Sequence, residues 1–222
     1  MRSAGWQWFT WKRIKWTLGI LALLAAVTLV AAEACDRVAF KREAARLPAL
    51  LELKPGSAVA DVGAGKGKMA ARMAAHVGPQ GHVFATEIDA ERLADIRKAA
   101  AKAGMGNVTV MEGGERDTRL PERCCEAIFL RKVYHHVTDP APMNASLYRS
   151  LRPGGVLAII DFSPGTFFWL WRPKGVPENR GGHGIPQKIV IEELTGAGFR
   201  LERVANDWPG WQYCVVFRKP AS

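Results

Sequence analysis

Cysteine is scarce in this chain: four residues among 222, at positions 35, 124, 125 and 214. That number and spacing exclude a disulfide framework. The adjacent Cys124–Cys125 pair also lacks the CxxC or Cys/His company that a zinc site needs, so no metal is expected. Internal repeats, low-complexity linkers and a dense basic stripe with interleaved aromatics are missing too. Acid is absent from the first sixteen residues, where Arg2, Lys12, Arg13 and Lys15 supply four charges of the net +10. With those four removed, 27 basic residues face 21 acidic ones, an excess spread thinly over the rest. Nucleic acid is therefore not indicated, and a mild preference for an acidic acceptor is as far as charge goes. A composition of 48% hydrophobic and 23% charged residues excludes disorder, and the length suits one sizeable domain.

What is present at the amino terminus is apolar and aromatic. Trp6, Trp8, Phe9, Trp11 and Trp16 accompany the four basic residues, and Thr17 to Ala32 then runs without a charge. Taken as a helix from Trp16, this run is about 25 Å long, short of a hydrocarbon core of about 30 Å. Its aromatic and cationic flanks suit an interfacial anchor. Three readings stay open: a membrane anchor through residues 14–32, a cleaved secretory signal peptide, and a buried or surface-lying helix. Ala32-Glu33-Ala34 has small residues where a signal cleavage site wants them; Cys35 behind it hints at a lipoprotein, although Glu33 suits that motif badly. The expected division is residues 1–32 as anchor or signal and 33–222 as the main domain. Basic residues ahead of the span favour an inside amino terminus, which puts that domain outside the cytoplasm.

The body alternates strand-like and helix-like runs. Glu33 to Leu51 reads as helix, and Lys54-Pro55-Gly56 as a turn. Strands are expected over Ser57–Val62, His82–Ile88, Asn107–Met111, around Ala127–Leu130 and over Val156–Phe162. Helices are expected over Lys66–Val77, Ala90–Ala103, Ala141–Leu151 and Ile189–Ala197. Such alternation predicts an α/β fold, a mostly parallel sheet covered on both faces. Two late strands, Phe199–Val204 and Tyr213–Phe217, suggest an antiparallel hairpin at one edge around a tight Asp207-Trp208-Pro209-Gly210 turn, with Trp208 and Trp211 packed about it. Met69 and Met73 are expected in the core.

Directly behind the first strand stands "DVGAGKGKMA", residues 61–70. A Walker loop fails at both ends: Gly67-Lys68 is followed by Met69, with no hydroxyl for magnesium, and the leading glycine position is Val62. A GxGxxG dinucleotide loop fits Gly63 and Gly65 but meets Lys68 in third place. What remains is Asp61-Val62-Gly63-Ala64-Gly65-Lys66-Gly67 opening a helix, bare backbone at the carboxyl edge of a sheet. Asp61 supplies an acceptor suited to a cationic amino group. Glu87, at the end of the second strand, is placed to take both hydroxyls of a ribose.

These motifs resemble the class I S-adenosylmethionine-dependent methyltransferases of the small bacterial kind, similar to those of ubiquinone and menaquinone biosynthesis. "VADVGAGKGKMA" resembles the family's first motif and "VFATEID" its second, with Glu87 in the ribose position and Ile88 beside it. "VTVMEGGERDTRLPE" resembles the stretch lining the adenine, with Glu112, Gly114, Glu115 and Asp117 as candidates. "YHHVTDP" and "SLRPGGVLAIIDF" resemble the fourth-strand segment and the turn into strand five. The resemblance covers about Leu53 to Lys219. It implies a seven-stranded, Rossmann-like sheet with a reversed last strand, S-adenosylmethionine as cofactor, and Asp61, Gly63, Ala64, Gly65, Gly67, Glu87, Ile88, Gly114, Glu115 and Lys132 as the residues around it. It also implies methyl transfer to a small-molecule or membrane-associated acceptor, with a non-catalytic, membrane-attached binding module as the alternative. A cofactor made in the cytoplasm pulls against the topology suggested by the basic amino terminus.

For the chemistry, "FLRKVYHHVTDP" crowds Tyr134, His135 and His136 at the edge where cofactor and acceptor should meet. His135 and His136 are candidate general bases and Tyr134 a pocket wall or hydrogen-bond donor; bracing through Asp139 and helix capping are the competing roles. His183, flanked by glycines, is a further acid–base candidate, or a loop anchor. Lys132 departs from the family pattern, where an acidic or small polar residue is common; it repels a cationic acceptor, draws an anionic one, or pairs with Glu115 or Asp117. Residues Asp161 to Ile185, with Phe162, Phe167, Phe168, Trp169, Trp171, Arg172 and Lys174, are the candidate acceptor loop or membrane contact. Arg180 is a candidate for a substrate carboxylate.

Overall fold

A computed structural model of the protein describes residues 4–165, 175–177, 180 and 183–221, with backbone alone over 4–15. The chain divides into two compact units, Met1–Arg42 and Glu43–Ser222. The described residues of the first unit, 4–42, lie within helix α1 (Ala4–Leu50). The uncharged run and the segment after Glu33 form one continuous helix, because residues 20–47 hold neither glycine nor proline and are rich in the helix formers Ala, Leu, Arg and Glu. Pro48 falls in its last turn. Within the first unit Trp16, Leu18, Leu21, Leu23, Leu29 and Val30 are exposed, and from Trp16 onward the helix has the length and composition to cross a membrane.

The second unit holds a seven-stranded sheet: β1 (Ala58–Val62), β2 (His82–Glu87), β3 (Val108–Glu112), β4 (Cys125–Arg131), β5 (Leu151–Asp161), β6 (Arg200–Trp208) and β7 (Gln212–Arg218). Their order is β3-β2-β1-β4-β5-β7-β6. Strands β1 to β5 are parallel, and β7 runs against both β5 and β6. This is the expected sheet with its last strand reversed and a hairpin at one edge. Helices α2 (Lys68–Val77) and α3 (Ala90–Lys102) pack on β1–β3, α4 (Pro140–Ser150) on β5, and α5 (Gln187–Gly196) on β6 and β7. The central strands are apolar on both faces, as layers of helix on each side require. Val59, Ala60, Ile128, Leu130, Leu157 and Ile159 are all fully buried, and Met69 and Met73 join the core.

Three details differ from the sequence reading. Strand β5 begins at Leu151, because Arg152-Pro153-Gly154-Gly155 is absorbed as a register shift opposite Cys125–Ala127. Asp207 and Trp208 belong to β6, so the hairpin turn is Pro209-Gly210-Trp211. Trp208 packs, with its indole N–H on Glu43 Oε1 at 3.1 Å, but Trp211 does not: it sits at the tip with φ 62° and is 99% exposed.

Candidate functional site

Parallel strands send their carboxyl ends to one edge of the sheet. There β1 and β4 are neighbours whose onward connections lead opposite ways, to β2 on one side and β5 on the other. Such a switch point leaves a crevice where open α/β sheets bind ligands. The glycine loop lies in it, with the amides of Gly63 and Ala64 donating to Thr86 O at 2.9 and 2.8 Å. Gly63, Gly65 and Gly67 all have left-handed backbones, with φ of 74°, 57° and 68°. Their surroundings differ. A Cβ on Gly63 would lie 2.5 Å from Val133 Cγ2, and one on Gly67 3.1 Å from Ile96 Cγ2, whereas one on Gly65 meets nothing within 4 Å. Two glycines therefore permit close packing of the loop, and the third leaves bare backbone facing open space.

Two acids flank that backbone. Glu87 is buried, with Oε2 accepting from the Gly65 amide at 2.8 Å and Oε1 from the Ile88 and Asp89 amides at 2.9 and 3.3 Å. Ile88 beside it is exposed, an apolar surface next to the acid. Asp61 is also buried, and its Oδ2 has no hydrogen-bond partner. Burial pushes Asp61 up to about 7, offset in part by the Arg131 charge and the Ala70 amide and reinforced by Glu87 and Glu43. Arg131 is itself fixed, its Nε 2.7 Å from Glu43 Oε2. A cationic group arriving at Asp61 would relieve an unsatisfied, reluctantly ionised carboxylate. The bare Gly65 backbone, the orphaned Asp61 oxygen and Glu87 together fit a nucleoside that carries an amino-acid tail.

At the end of β3 several candidates have other partners. Glu112 pairs with Arg119 at 2.8 Å. Asp117 accepts from Arg149, Ser146 and the Arg119 amide; despite partial burial, these hold its carboxyl below the usual range. The Gly114 amide donates to Asp117 O at 2.8 Å, which shapes the loop, and Glu115 is exposed. Lys132 does not pair with Glu115 or Asp117: it leaves β4 in a left-handed conformation, φ 57°, with its amide on Ile160 O at 2.7 Å and its side chain exposed.

Beyond Lys132 a short 3-10 turn, Tyr134–His136, carries the candidate bases. Tyr134 is not a pocket wall. It is fully buried, and its hydroxyl donates to Glu193 Oε2 at 2.8 Å and lies 3.1 Å from Asn144 Oδ1. Burial and the Glu193 charge raise the phenol above its ordinary range. Arg180 is spent on the same network, with Nε 2.8 Å from Glu193 Oε1 and Nη1 on Val137 O, and is unavailable to a substrate carboxylate. His135 is 2% exposed, with Nδ1 2.8 Å from Asp161 Oδ1 and its backbone N–H 3.1 Å from Asp161 Oδ2. Its bracing partner is thus Asp161, a residue the sequence reading did not single out, and not Asp139, which pairs with Arg116. The His136 ring lies 4.0 Å and the His183 ring 5.1 Å from that of His135. Partial desolvation and the neighbouring imidazoles lower His136 to about 4 and hold His183 below its ordinary value. Among the described residues no group of His, Cys, Asp or Glu is placed to hold a metal ion. Phe167, Phe168, Trp169, Trp171, Arg172 and Lys174 lie outside the described residues.

Comparison with known proteins agrees with this geometry. Residues 59–155 match a family described as a methyltransferase domain. Over this domain the chain is similar to the class I S-adenosylmethionine-dependent methyltransferases, enzymes whose cofactor is S-adenosylmethionine. Among its relatives, the ubiquinone/menaquinone biosynthesis C-methyltransferase UbiE of Vibrio vulnificus is 30% identical over 115 residues, 51% of this chain and 44% of that protein. Demethylmenaquinone methyltransferase of Listeria monocytogenes is 29% identical over 51% of this chain and 48% of its own. The chain thus matches about half the length of these curated relatives. A crystal structure of a SAM-dependent methyltransferase from Aquifex aeolicus superposes with a TM-score of 0.68 at 27% identity, covering 79% of this chain and 89% of that one. The [4+2]-cyclase SpnF shares the fold at 17% identity, TM-score 0.66, over 82% of each chain, so the sheet alone does not fix the reaction.

Proposed function

We propose that this protein transfers a methyl group from S-adenosylmethionine to an aromatic, lipid-like acceptor of the quinone-precursor class, and that it works at a membrane. The observation that carries the methyl-transfer reading is Gly65: a left-handed residue with open space where its side chain would be, between the unpartnered Asp61 oxygen and the Glu87 carboxylate. In this reading Asp61 receives the cofactor's ammonium group, and Glu87 exchanges its Gly65 hydrogen bond for the ribose hydroxyls. Gly63, Ala64 and Gly67 shape the loop that leaves the backbone bare, Ile88 packs on the adenine, and Gly114 and Glu115 border it. Lys132, exposed at the β4 exit, favours an acceptor with negative charge. When bound, the sulfonium supplies an activated methyl carbon, so the chain's task is alignment and exclusion of water.

The acceptor class is supported by the names of the Vibrio and Listeria relatives, and the membrane by the exposed apolar face of α1 in the first unit. Calorimetric titration of S-adenosylhomocysteine tests the cofactor site: saturable binding is expected for the natural chain and none for Gly65→Arg, whose side chain fills the approach to the backbone. Formation of S-adenosylhomocysteine on adding a reduced, unmethylated naphthoquinol in lipid vesicles tests the acceptor.

A further inference from the structure

His135 is a buried imidazole with one nitrogen satisfied and one left bare. Asp161 is wholly buried and receives three N–H groups: the His135 amide at 3.1 Å, the Phe162 amide at 2.9 Å and His135 Nδ1 at 2.8 Å. A carboxylate flanked by donors acts as acceptor, so the proton of the neutral ring resides on Nδ1. That leaves Nε2 as a lone pair, and Nε2 is buried with no hydrogen-bond partner. An unsatisfied buried acceptor costs roughly 1–3 kcal/mol and calls for a ligand that donates to it. The ring is held from several sides by Phe162, His136 and His183, at centroid distances of 4.9, 4.0 and 5.1 Å. Since His136 and His183 are both held below the ordinary histidine range, neither opposes a positive charge arriving on His135 at neutral pH.

The place of this ring in the fold matters as much as its tautomer. The chain leaves β4 through Lys132 and Val133; Val133 presses on Gly63 of the cofactor loop, and His135 follows two residues later. Asp161 closes β5, the strand paired with β4 on the side away from β1. The dyad is therefore built by the ends of two adjacent strands, next to the glycine loop.

We infer that His135 and Asp161 form a proton-accepting dyad, with His135 Nε2 as general base and Asp161 as the residue that positions it, and that the acceptor is accordingly one whose reacting group carries a dissociable proton, a phenol or quinol hydroxyl. This rests on the methyl-transfer reading and narrows it. The acceptor oxygen, or the ring carbon it activates, forms its bond to the methyl carbon. The pair of the broken carbon–sulfur bond stays on the departing thioether sulfur. The acceptor's proton passes to Nε2, making an imidazolium that the Asp161 carboxylate stabilises and that loses its proton to water as product leaves. A tertiary amine or a thioether has no proton to give and leaves Nε2 unsatisfied.

The test is nitrogen NMR of the full chain in lipid nanodiscs, with 15N-labelled histidine and saturating S-adenosylhomocysteine. A proton on Nδ1 and a bare Nε2 are expected for His135 at neutral pH. Phenol, used as the probe, should shift the Nε2 resonance toward the protonated position, and anisole, its methyl ether, should leave it in place. Asp161→Asn should lose the Nδ1–H tautomer and, with it, the Nε2 response to phenol, while still binding S-adenosylhomocysteine; a purely structural aspartate predicts no phenol response in either protein. A proton found on Nε2, or an Nε2 resonance unmoved by saturating phenol, overturns the dyad. Failure to bind S-adenosylhomocysteine at all overturns the methyl-transfer reading instead, so the two failures are told apart. If Asp161→Asn does not fold, the natural chain's tautomer and phenol response still decide the matter.

Discussion

The Oε2 atom of Glu87 lies 2.8 Å from the amide nitrogen of Gly65, so the acid ending β2 is tied to the loop that follows β1. Three backbone amides share this one buried carboxylate. The contact links the two motifs, 22 residues apart, that the cofactor needs side by side. It also means that Glu87 has a part in the ligand-free fold that the sequence reading did not assign to it.

Glu87→Ala should therefore weaken both properties. Three amides lose their acceptor, which costs roughly 1–3 kcal/mol of stability, and affinity for S-adenosylhomocysteine should fall further than this loss of fold explains. Thermal unfolding and calorimetry on the same preparation separate the two effects. Unchanged affinity would remove Glu87 from the cofactor site.

The glycines should separate in the same way. Gly63→Ala forces a Cβ into Val133 at a left-handed position and should lower the melting temperature sharply. Gly65→Ala meets no neighbour and should cost only the backbone strain, roughly 1–2 kcal/mol, while impairing ligand binding. Equal losses of stability would contradict the division of labour between them.

Asp61 makes both affinity and stability depend on pH. Its carboxyl is ordinarily at 3.8 and is raised in the folded chain to about 7. The folded state holds more protons than the unfolded state in that window, so this group's contribution to stability is lost as pH rises through it. The full shift corresponds to on the order of 4 kcal/mol. Relative to the natural chain, Asp61→Asn should therefore gain stability as pH rises from 3.8 to about 7. Affinity for S-adenosylhomocysteine should rise over the same window in the natural chain, with proton release detectable by calorimetry in buffers of different ionisation enthalpy, and should be flat in the variant.

His136 acts in the opposite sense. Its folded value of about 4 lies below the ordinary 6.5, so between these values the unfolded chain binds the proton that the folded chain refuses. Its contribution is intact above 6.5 and is lost as pH falls toward about 4. His136→Gln should flatten this acid loss in a denaturant titration, leaving the opposed Asp61 trend exposed.

Deleting residues 1–32 should release the protein from lipid vesicles and leave S-adenosylhomocysteine binding intact, as flotation and calorimetry would show. A truncated chain that still floats would move the attachment elsewhere, to a segment such as the aromatic stretch around Trp169.

Much of this fold was legible in the sequence because each parallel strand is a short apolar run bounded by turn residues. Ser57–Val62 and Val156–Phe162 are clear for that reason, and three glycines behind the first strand marked the cofactor edge. Partnerships made across the sheet were not legible. Asp161 meets His135 from 26 residues away, through the β4–β5 pairing, and nothing local in "IIDF" announces it. The capture of Tyr134 by Glu193, 59 residues on, and of Arg180 by the same acid, is likewise a product of α5 docking. Trp211 misled because an indole usually packs, whereas here the turn sets φ positive and projects it outward.

The most direct measurement is a crystal structure of the full chain with S-adenosylhomocysteine bound. The nucleoside is expected over Gly65, with the ribose hydroxyls on Glu87 and the ammonium group at Asp61 Oδ2. A nucleoside bound elsewhere, with side chains closing the space above Gly65, would contradict this placement.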